Sequence, residues 1–273
     1  MTIITTNGLH MPKLGLGTFR LKGEECVAAV SGALDRGYQH LDTAKMYANE
    51  EAVGEAMANS AVARSDIHLT TKVWWDSLAP DAMQRSLDDS LAKLRTDYLD
   101  LFLIHWPAPG MDLAAALHAI MAIKEQGMVR NIGVCNFPLG MFRRAVEEIQ
   151  APIVVHQFEY HVLLDQTPLV SYAQSRNIAV TAYCPLAQGR LADHPSLATI
   201  ATKHKASPAQ IALKWLLDQD GVTAIPKAGR AESQLANLAA WDVTLDDLDR
   251  AAIAALPKAE RFVNPAFAPD WAA

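Results

Sequence analysis

Cysteine is scarce in this chain: three residues in 273, Cys26, Cys135 and Cys184. Their number is odd, their spacing is wide and no CxxC pair occurs, which argues against a disulfide framework or a zinc site. No GxGxxG motif follows any stretch that reads as a strand. GLGTF (15–19) is too short and runs into Arg20-Leu21-Lys22, so the glycine fingerprint of a dinucleotide-binding open sheet is missing. No apolar run reaches the length of a membrane span. No basic stripe or Lys/Arg cluster stands out and the net charge is −6, so neither nucleic acid nor a membrane is an expected partner. A locally basic pocket remains compatible with that balance. The first residues, MTIITTNGLHMPKLGLG, lack the charged start and long apolar core of an export signal. A reduced, cytoplasmic protein is expected. Linkers rich in Gly, Pro or Ser are also missing, so residues 1–273 are expected to form a single domain.

What is present is a large supply of core. Hydrophobic residues make up 51% and charged residues 20%, which excludes global disorder. Residues 2–12 read as a hairpin: Ile3, Ile4, Thr5 and Thr6 meet Asn7-Gly8, the strongest short-range hairpin signal. Met11-Pro12 is expected to limit the second strand. Strands are then expected at 14–17, 38–42, 68–73, 98–105, 129–136, 153–157, 178–183 and 222–227. Helical spacing fills the intervals. From Pro80 to Leu94, Met83, Leu87, Leu91 and Leu94 fall on one face. Ser207-Pro208 opens another helix carrying Ile211, Leu213, Trp215 and Leu216. Eight strands, each followed by a helix, predict a (β/α)8 barrel with an N-terminal hairpin and a short C-terminal tail.

In such a barrel, function collects at the carboxyl ends of the strands. Here the ends carry Asp42, Lys72, His105, Asn136, Gln157, Tyr183 and Lys227. Each alone has an ordinary explanation: a surface lysine, a satisfied core histidine, a packing aromatic. Together they converge on one rim. Tyr47 follows Asp42 by five residues, in the turn between a strand and a helix. A phenol has a pKa of about 10 and gives up its proton reluctantly near neutrality. A neighbouring ammonium favours phenolate. If Lys72 supplied that field, it could lower the value by about two or three pKa units, roughly 3–4 kcal/mol. Asp42 would keep Lys72 charged and aimed, and His105 could position a substrate oxygen or share the proton. The set reads as a general acid, worth about 10²–10⁴ in rate. No metal-ligand set or activated Ser or Cys nucleophile is apparent. Glu50 and Glu51 read as solvated first-turn acids, with Asn49 as a possible cap. Cys135 and Cys184 have no evident basic partner on their own strands.

GYQHLDTAKMYANEEAVGEA (37–56) resembles the first signature of the aldo-keto reductases. LFLIHWP, VRNIGVCNF, VVHQFEYH, TAYCPLAQG and AIPKAGR are similar to further landmarks of that family, in family order. The resemblance continues to the tail, RFVNPAFAPDW. The short connection after His105 and the ending look most like the bacterial 2,5-diketo-D-gluconate reductase B group. The resemblance implies NADPH-dependent reduction of aldehydes and ketones by a monomer. It makes Tyr47 the proton donor, with Asp42 and Lys72 tuning it and His105 orienting the carbonyl. It assigns Asn136 and Gln157, with Cys135 in place of a usual Ser, to the nicotinamide carboxamide. Tyr183 falls to the ring face, Thr18 and Phe19 to the ribose, and Cys184, Leu186 and Gln188 to the pyrophosphate loop. Trp74 and Trp106 would wall the substrate pocket.

The adenosine end departs from the family pattern. Lys227 and Asn237 remain, but Ala228, Ser233 and Ala236 replace the usual Ser, Arg and Glu. Lys227 and Arg230 could still pair with a 2′-phosphate, with Asn237 facing adenine. Two other readings stand beside the reductase: an NADPH-binding sensor or partner subunit with little turnover, and a phosphate-binding barrel isomerase. The intact Asp42, Tyr47, Lys72 and His105 set counts against the first. The thin signal of Lys227-Ala228-Gly229-Arg230 counts against the second.

Overall fold

A computed structural model of the chain describes residues 2–192 and 194–272. It opens on an antiparallel hairpin, β1 (Ile3–Thr6) and β2 (Leu9–Pro12). Asn7 and Gly8 both take positive φ, 47° and 79°, as a tight hairpin turn requires. As expected, the second strand ends at Pro12, whose partner is Ile3. Proline is tolerated there because it closes a two-stranded ribbon, where a missing N–H breaks no interior ladder.

Eight parallel strands follow, each with its helix: β3 (Leu16–Gly17) and α1 (Gly23–Asp35); β4 (His40–Asp42) and α2 (Glu50–Ala58); β5 (His68–Val73) and α3 (Pro80–Leu94); β6 (Leu99–Ile104) and α4 (Leu113–Glu125). The second half continues with β7 (Val129–Cys135) and α5 (Leu139–Arg143), which widens into a π-turn at Arg144–Glu148, then β8 (Ile153–Glu159) and α6 (Thr167–Ser175). β9 (Ala179–Tyr183) leads into two helices, α7 (Pro195–His204) and α8 (Pro208–Leu217). β10 (Val222–Ala224) precedes α9 (Ala231–Leu238) and α10 (Asp247–Ala254).

Strands β3 to β10 pair in chain order. Parallel bridges from Leu14 to Ala224 and from Gly17 to Lys227 join the first to the last, so the sheet closes as a (β/α)8 barrel. The seam is tight. A Cβ on Gly17 would lie 2.6 Å from the Ile225 carbonyl oxygen, so only glycine lets the two backbones meet. β10 is shorter than expected because Pro226 lacks the N–H that would extend its ladder.

The helices pack as their spacing implies. Met83, Leu87, Leu91 and Leu94 of α3 are all buried. α8 starts in a full capping box between Ser207 and Gln210. The hairpin closes the amino end of the barrel: Ile4, Leu9 and Met11 join Leu101, Leu103 and Val155 in one buried cluster. His40 and His68 lie 3.1 Å from the carbonyls of Pro12 and His10 respectively, tying that plug to β4 and β5.

Two local expectations fail. Asn49 stands before α2 but makes no side-chain cap. Its amide instead donates to the carbonyls of Thr18 and Leu21, at 2.9 and 3.1 Å, and accepts from Thr43 Oγ1 at 2.8 Å. It knits together the loops after β3 and β4. Glu50 is not solvated. It is buried, accepting from Thr71 Oγ1 at 2.6 Å, and burial raises its pKa. Residue type gave no warning, because the tertiary crossing of α2 over β5 decides which first-turn acid faces in.

Candidate active site

The carboxyl ends of the strands open into a cavity of about 460 Å³. Asp42 and Lys72 come from adjacent strands, β4 and β5, and their side chains are 1% and 0% exposed. Lys72 Nζ donates to Asp42 Oδ1 at 2.5 Å, to the Thr43 carbonyl at 2.9 Å and to Tyr47 Oη at 3.4 Å. The other carboxylate oxygen of Asp42 accepts from Gln157 Nε2 at 2.8 Å. A buried charge pair is tolerable when its remaining polar positions are filled in this way. Burial opposes the Lys72 charge, but the attraction of Asp42, with smaller help from Tyr47, lifts its pKa above the ordinary value. Lys72 is therefore an ammonium at neutral pH.

Tyr47 departs from the sequence expectation. Its phenol is not lowered toward neutrality. Burial pushes it up to about 12, and the pull of Lys72 offsets this only in part. Desolvation of the anion outweighs one ammonium at 3.4 Å. The phenol therefore keeps its proton at neutral pH. Its ring packs against Phe19 at 5.0 Å and edge-on to His105 at 5.5 Å. His105 is buried, and its Nδ1 has no hydrogen-bond partner among the described residues. Burial, with Lys72 nearby, holds its pKa well below the usual value. It acts as a neutral ring, able to orient an oxygen but not to carry charge.

The remaining strand-end residues divide into two shells. Thr18, Phe19, Asn136, Tyr183, Cys184, Leu186, Gln188 and Lys227 line the cavity, as does Trp106. Asn136 donates to the His105 carbonyl at 3.0 Å and accepts from Tyr183 Oη at 2.7 Å. Lys72, Gln157 and Cys135 stand behind that lining. Cys135 is fully buried in the barrel interior, where burial raises its thiol pKa. Burial likewise pushes Cys184 up to about 11. Trp74 is half-buried and packs edge-on to His105 at 5.1 Å. At the far end, Lys227 and Arg230 are exposed, and neither has an acidic partner within salt-bridge distance among the described residues. Asn237 is buried in α9 and does not line the cavity.

Sequence reasoning missed one wall. The segment after α10 crosses the cavity mouth: Val263 lines it, and Phe267 packs on Trp74, Trp75 and Trp106 with ring separations of 5.5–5.6 Å. Trp271 adds a contact to Trp106 at 6.0 Å. Its sequence, rich in Pro and Ala, carries no periodic signal. Arg20, also in the lining, sits in a loop with no motif to mark it, and Met46 lines the cavity from the single turn Lys45–Tyr47, within the 37–56 stretch but without a role assigned there.

The model of the Aldo/keto reductase family matches residues 13–258. The chain belongs to the aldo/keto reductase family. This aldo/keto reductase is 42% identical over 267 residues to methylglyoxal reductase DkgB of Salmonella typhi, an alignment covering 96% of this chain and 100% of that one. It is 36% identical over 258 residues to methylglyoxal reductase DkgA of Escherichia coli K12, covering 93% of each. Among solved structures, one provisionally assigned as a 2,5-diketo-D-gluconic acid reductase B superposes with a TM-score of 0.95 at 39% identity, over 99% of this chain and 97% of the other. As an aldo/keto reductase the protein is an oxidoreductase that acts on carbonyl compounds with a nicotinamide cofactor. Among the described residues, no helix is long and apolar enough to cross a membrane.

Proposed function

We propose that the protein is an NADPH-dependent reductase of small aldehydes and ketones in which Tyr47 Oη donates the proton. The observation that carries this reading is the buried chain from Gln157 through Asp42 and Lys72 to Tyr47, ending at the cavity floor. The residues fit the cofactor. Amide side chains stand at the inner end, Tyr183 offers a ring in the lining, and Lys227, a cation with no acidic partner among the described residues, stands at the outer end. Asn136 and Tyr183 would hold the nicotinamide, with Gln157 bracing Asp42 behind them, and Lys227 with Arg230 would hold the 2′-phosphate. When bound, that cofactor supplies a hydride to the carbonyl carbon.

The chain's own residues do the rest. His105, kept neutral, hydrogen-bonds the carbonyl oxygen and fixes its approach to Tyr47. The proton leaves Tyr47 Oη for that oxygen as negative charge develops on it. Lys72 then stabilises the phenolate, and Asp42 keeps Lys72 aimed. Trp74, Trp106 and Phe267 shield the site from water, which strengthens each of these interactions.

Relatives named as methylglyoxal reductases favour small dicarbonyls; keto sugars such as 2,5-diketo-D-gluconate and β-keto esters belong to the same panel. A monomer working in the cytoplasm, with its three thiols free, completes the reading. Following nicotinamide absorbance with NADPH and such a panel tests it. Rapid oxidation with at least one small carbonyl is expected. Cofactor binding without oxidation across the panel would favour the sensor reading.

A further inference from the structure

Glu159 ends β8 with a carboxylate that is fully buried, and the chemistry above does not use it. Three donors converge on it. Oε1 accepts from the Phe262 amide at 2.8 Å and from His161 Nε2 at 3.0 Å, and Oε2 accepts from the Val263 amide at 2.9 Å. His161 is fully buried too, and its Nδ1 accepts from the Leu163 amide at 3.3 Å. That bond places the ring proton on Nε2, so the histidine can only donate toward Glu159. The Phe262 ring stacks on His161 at 5.3 Å and 28°, and the Arg190 guanidinium lies over Phe262 at 4.6 Å. The backbone after α10 is thereby held between the end of β8 and the loop after β9. Immediately beyond this point Val263 enters the cavity wall and Phe267 reaches the three tryptophans.

A buried carboxylate is costly unless its oxygens are satisfied, and here two of the three donors are main-chain amides of one distant segment. We propose that Glu159 is a positioning residue for substrate recognition: with His161 it clasps residues 262–263, and so fixes the aromatic wall of the carbonyl site. This rests on the carbonyl-reductase reading for its kinetic consequence but not for the clasp itself. Glu159 does not touch the reacting atoms. Its effect runs through Val263 and Phe267 and should fall on substrate affinity, not on proton transfer.

The test is the Glu159→Gln variant of the full chain, which keeps the shape but presents an NH2 group to donors. Hydrogen–deuterium exchange at the amides of Phe262 and Val263 should accelerate at least about tenfold, because they lose their acceptor. NADPH affinity, from nicotinamide fluorescence, should stay within about twofold, while KM for the carbonyl rises about tenfold with kcat little changed. Phe267→Ala should reproduce the KM rise with the two amides still protected. Protected amides in Glu159→Gln, or an unchanged KM once they are exposed, overturn the proposal. If Glu159→Gln does not fold, the wild-type protein gives a second readout: exchange at the Phe262 and Val263 amides as fast as at unbonded amides of the same tail overturns the proposal equally. Failure of the wild-type protein to reduce any carbonyl would instead sink the functional reading, because the exchange measurement needs no turnover.

Discussion

Lys72 Nζ and Asp42 Oδ1 stand 2.5 Å apart inside the barrel, and neither side chain exceeds 1% exposure. Their strands are neighbours, and the pair is the base on which Tyr47 rests. Removing one partner leaves the other charge buried and uncompensated, which costs about 3–5 kcal/mol. Lys72→Met should therefore lower the urea midpoint substantially. Pairing it with Asp42→Asn should recover part of that loss. A double variant as unstable as the sum of the two singles would show that the charges do not interact.

Tyr47→Phe keeps the ring contacts with Phe19 and His105 and removes only the hydroxyl. Cofactor affinity should be unchanged, and kcat for carbonyl reduction should fall by about 10²–10⁴. Full turnover in this variant would end the proton-donor assignment.

The pH profile follows from the Tyr47 phenol, which burial pushes up to about 12. The donor form is complete at all pH values well below that, so the reductive kcat/KM should be flat across neutrality and fail only in strongly alkaline solution. An inflection near pH 7 would point to a different donor.

Stability should fall with acid. His40, His68, His105 and His156 are buried, and burial lowers the pKa of each, that of His156 to about 3. A lowered folded-state value means that the unfolded chain binds protons first. The contribution is complete above the unfolded value of about 6.5 and drains away as pH falls toward the folded values, by up to about 1.4 kcal/mol per pH unit for each histidine. Urea midpoints should be steady above pH 7 and drop steeply between pH 6.5 and 5. His156→Phe should flatten that slope, and a slope unaltered by the substitution would remove His156 from the account.

Lys227 and Arg230 set the last expectation. Both are exposed, so a phosphate contact there is partly screened. Lys227→Ala should weaken NADPH binding by about tenfold and leave NADH binding unchanged. Raising salt should narrow the difference between the two cofactors. Equal weakening of both would move the 2′-phosphate elsewhere.

The strand-end residues were legible because closing a sheet of parallel strands gathers their carboxyl ends on one rim. Alternation of apolar runs with 3.6-residue spacing located all eight strands and helix α3 to its observed limits. The type and order of Asp42, Tyr47, Lys72 and His105 carry the chemistry proposed for them. Other features depend on which chemically similar groups meet in space. Asn49 bridges two loops instead of capping its helix, Glu50 turns inward where Glu51 stays exposed, and the Tyr47 phenol moves up because burial outweighs Lys72.

The sequence alone determined the barrel, its hairpin and the composition of its rim, since periodicity and residue chemistry are local properties of the chain. Only the tertiary structure decided the sign of the Tyr47 shift and the wall contributed by Val263 and Phe267. Desolvation and long-range contact depend on distances that exist only once Glu159 and Val263, 104 residues apart in the chain, have been brought within one hydrogen bond of each other.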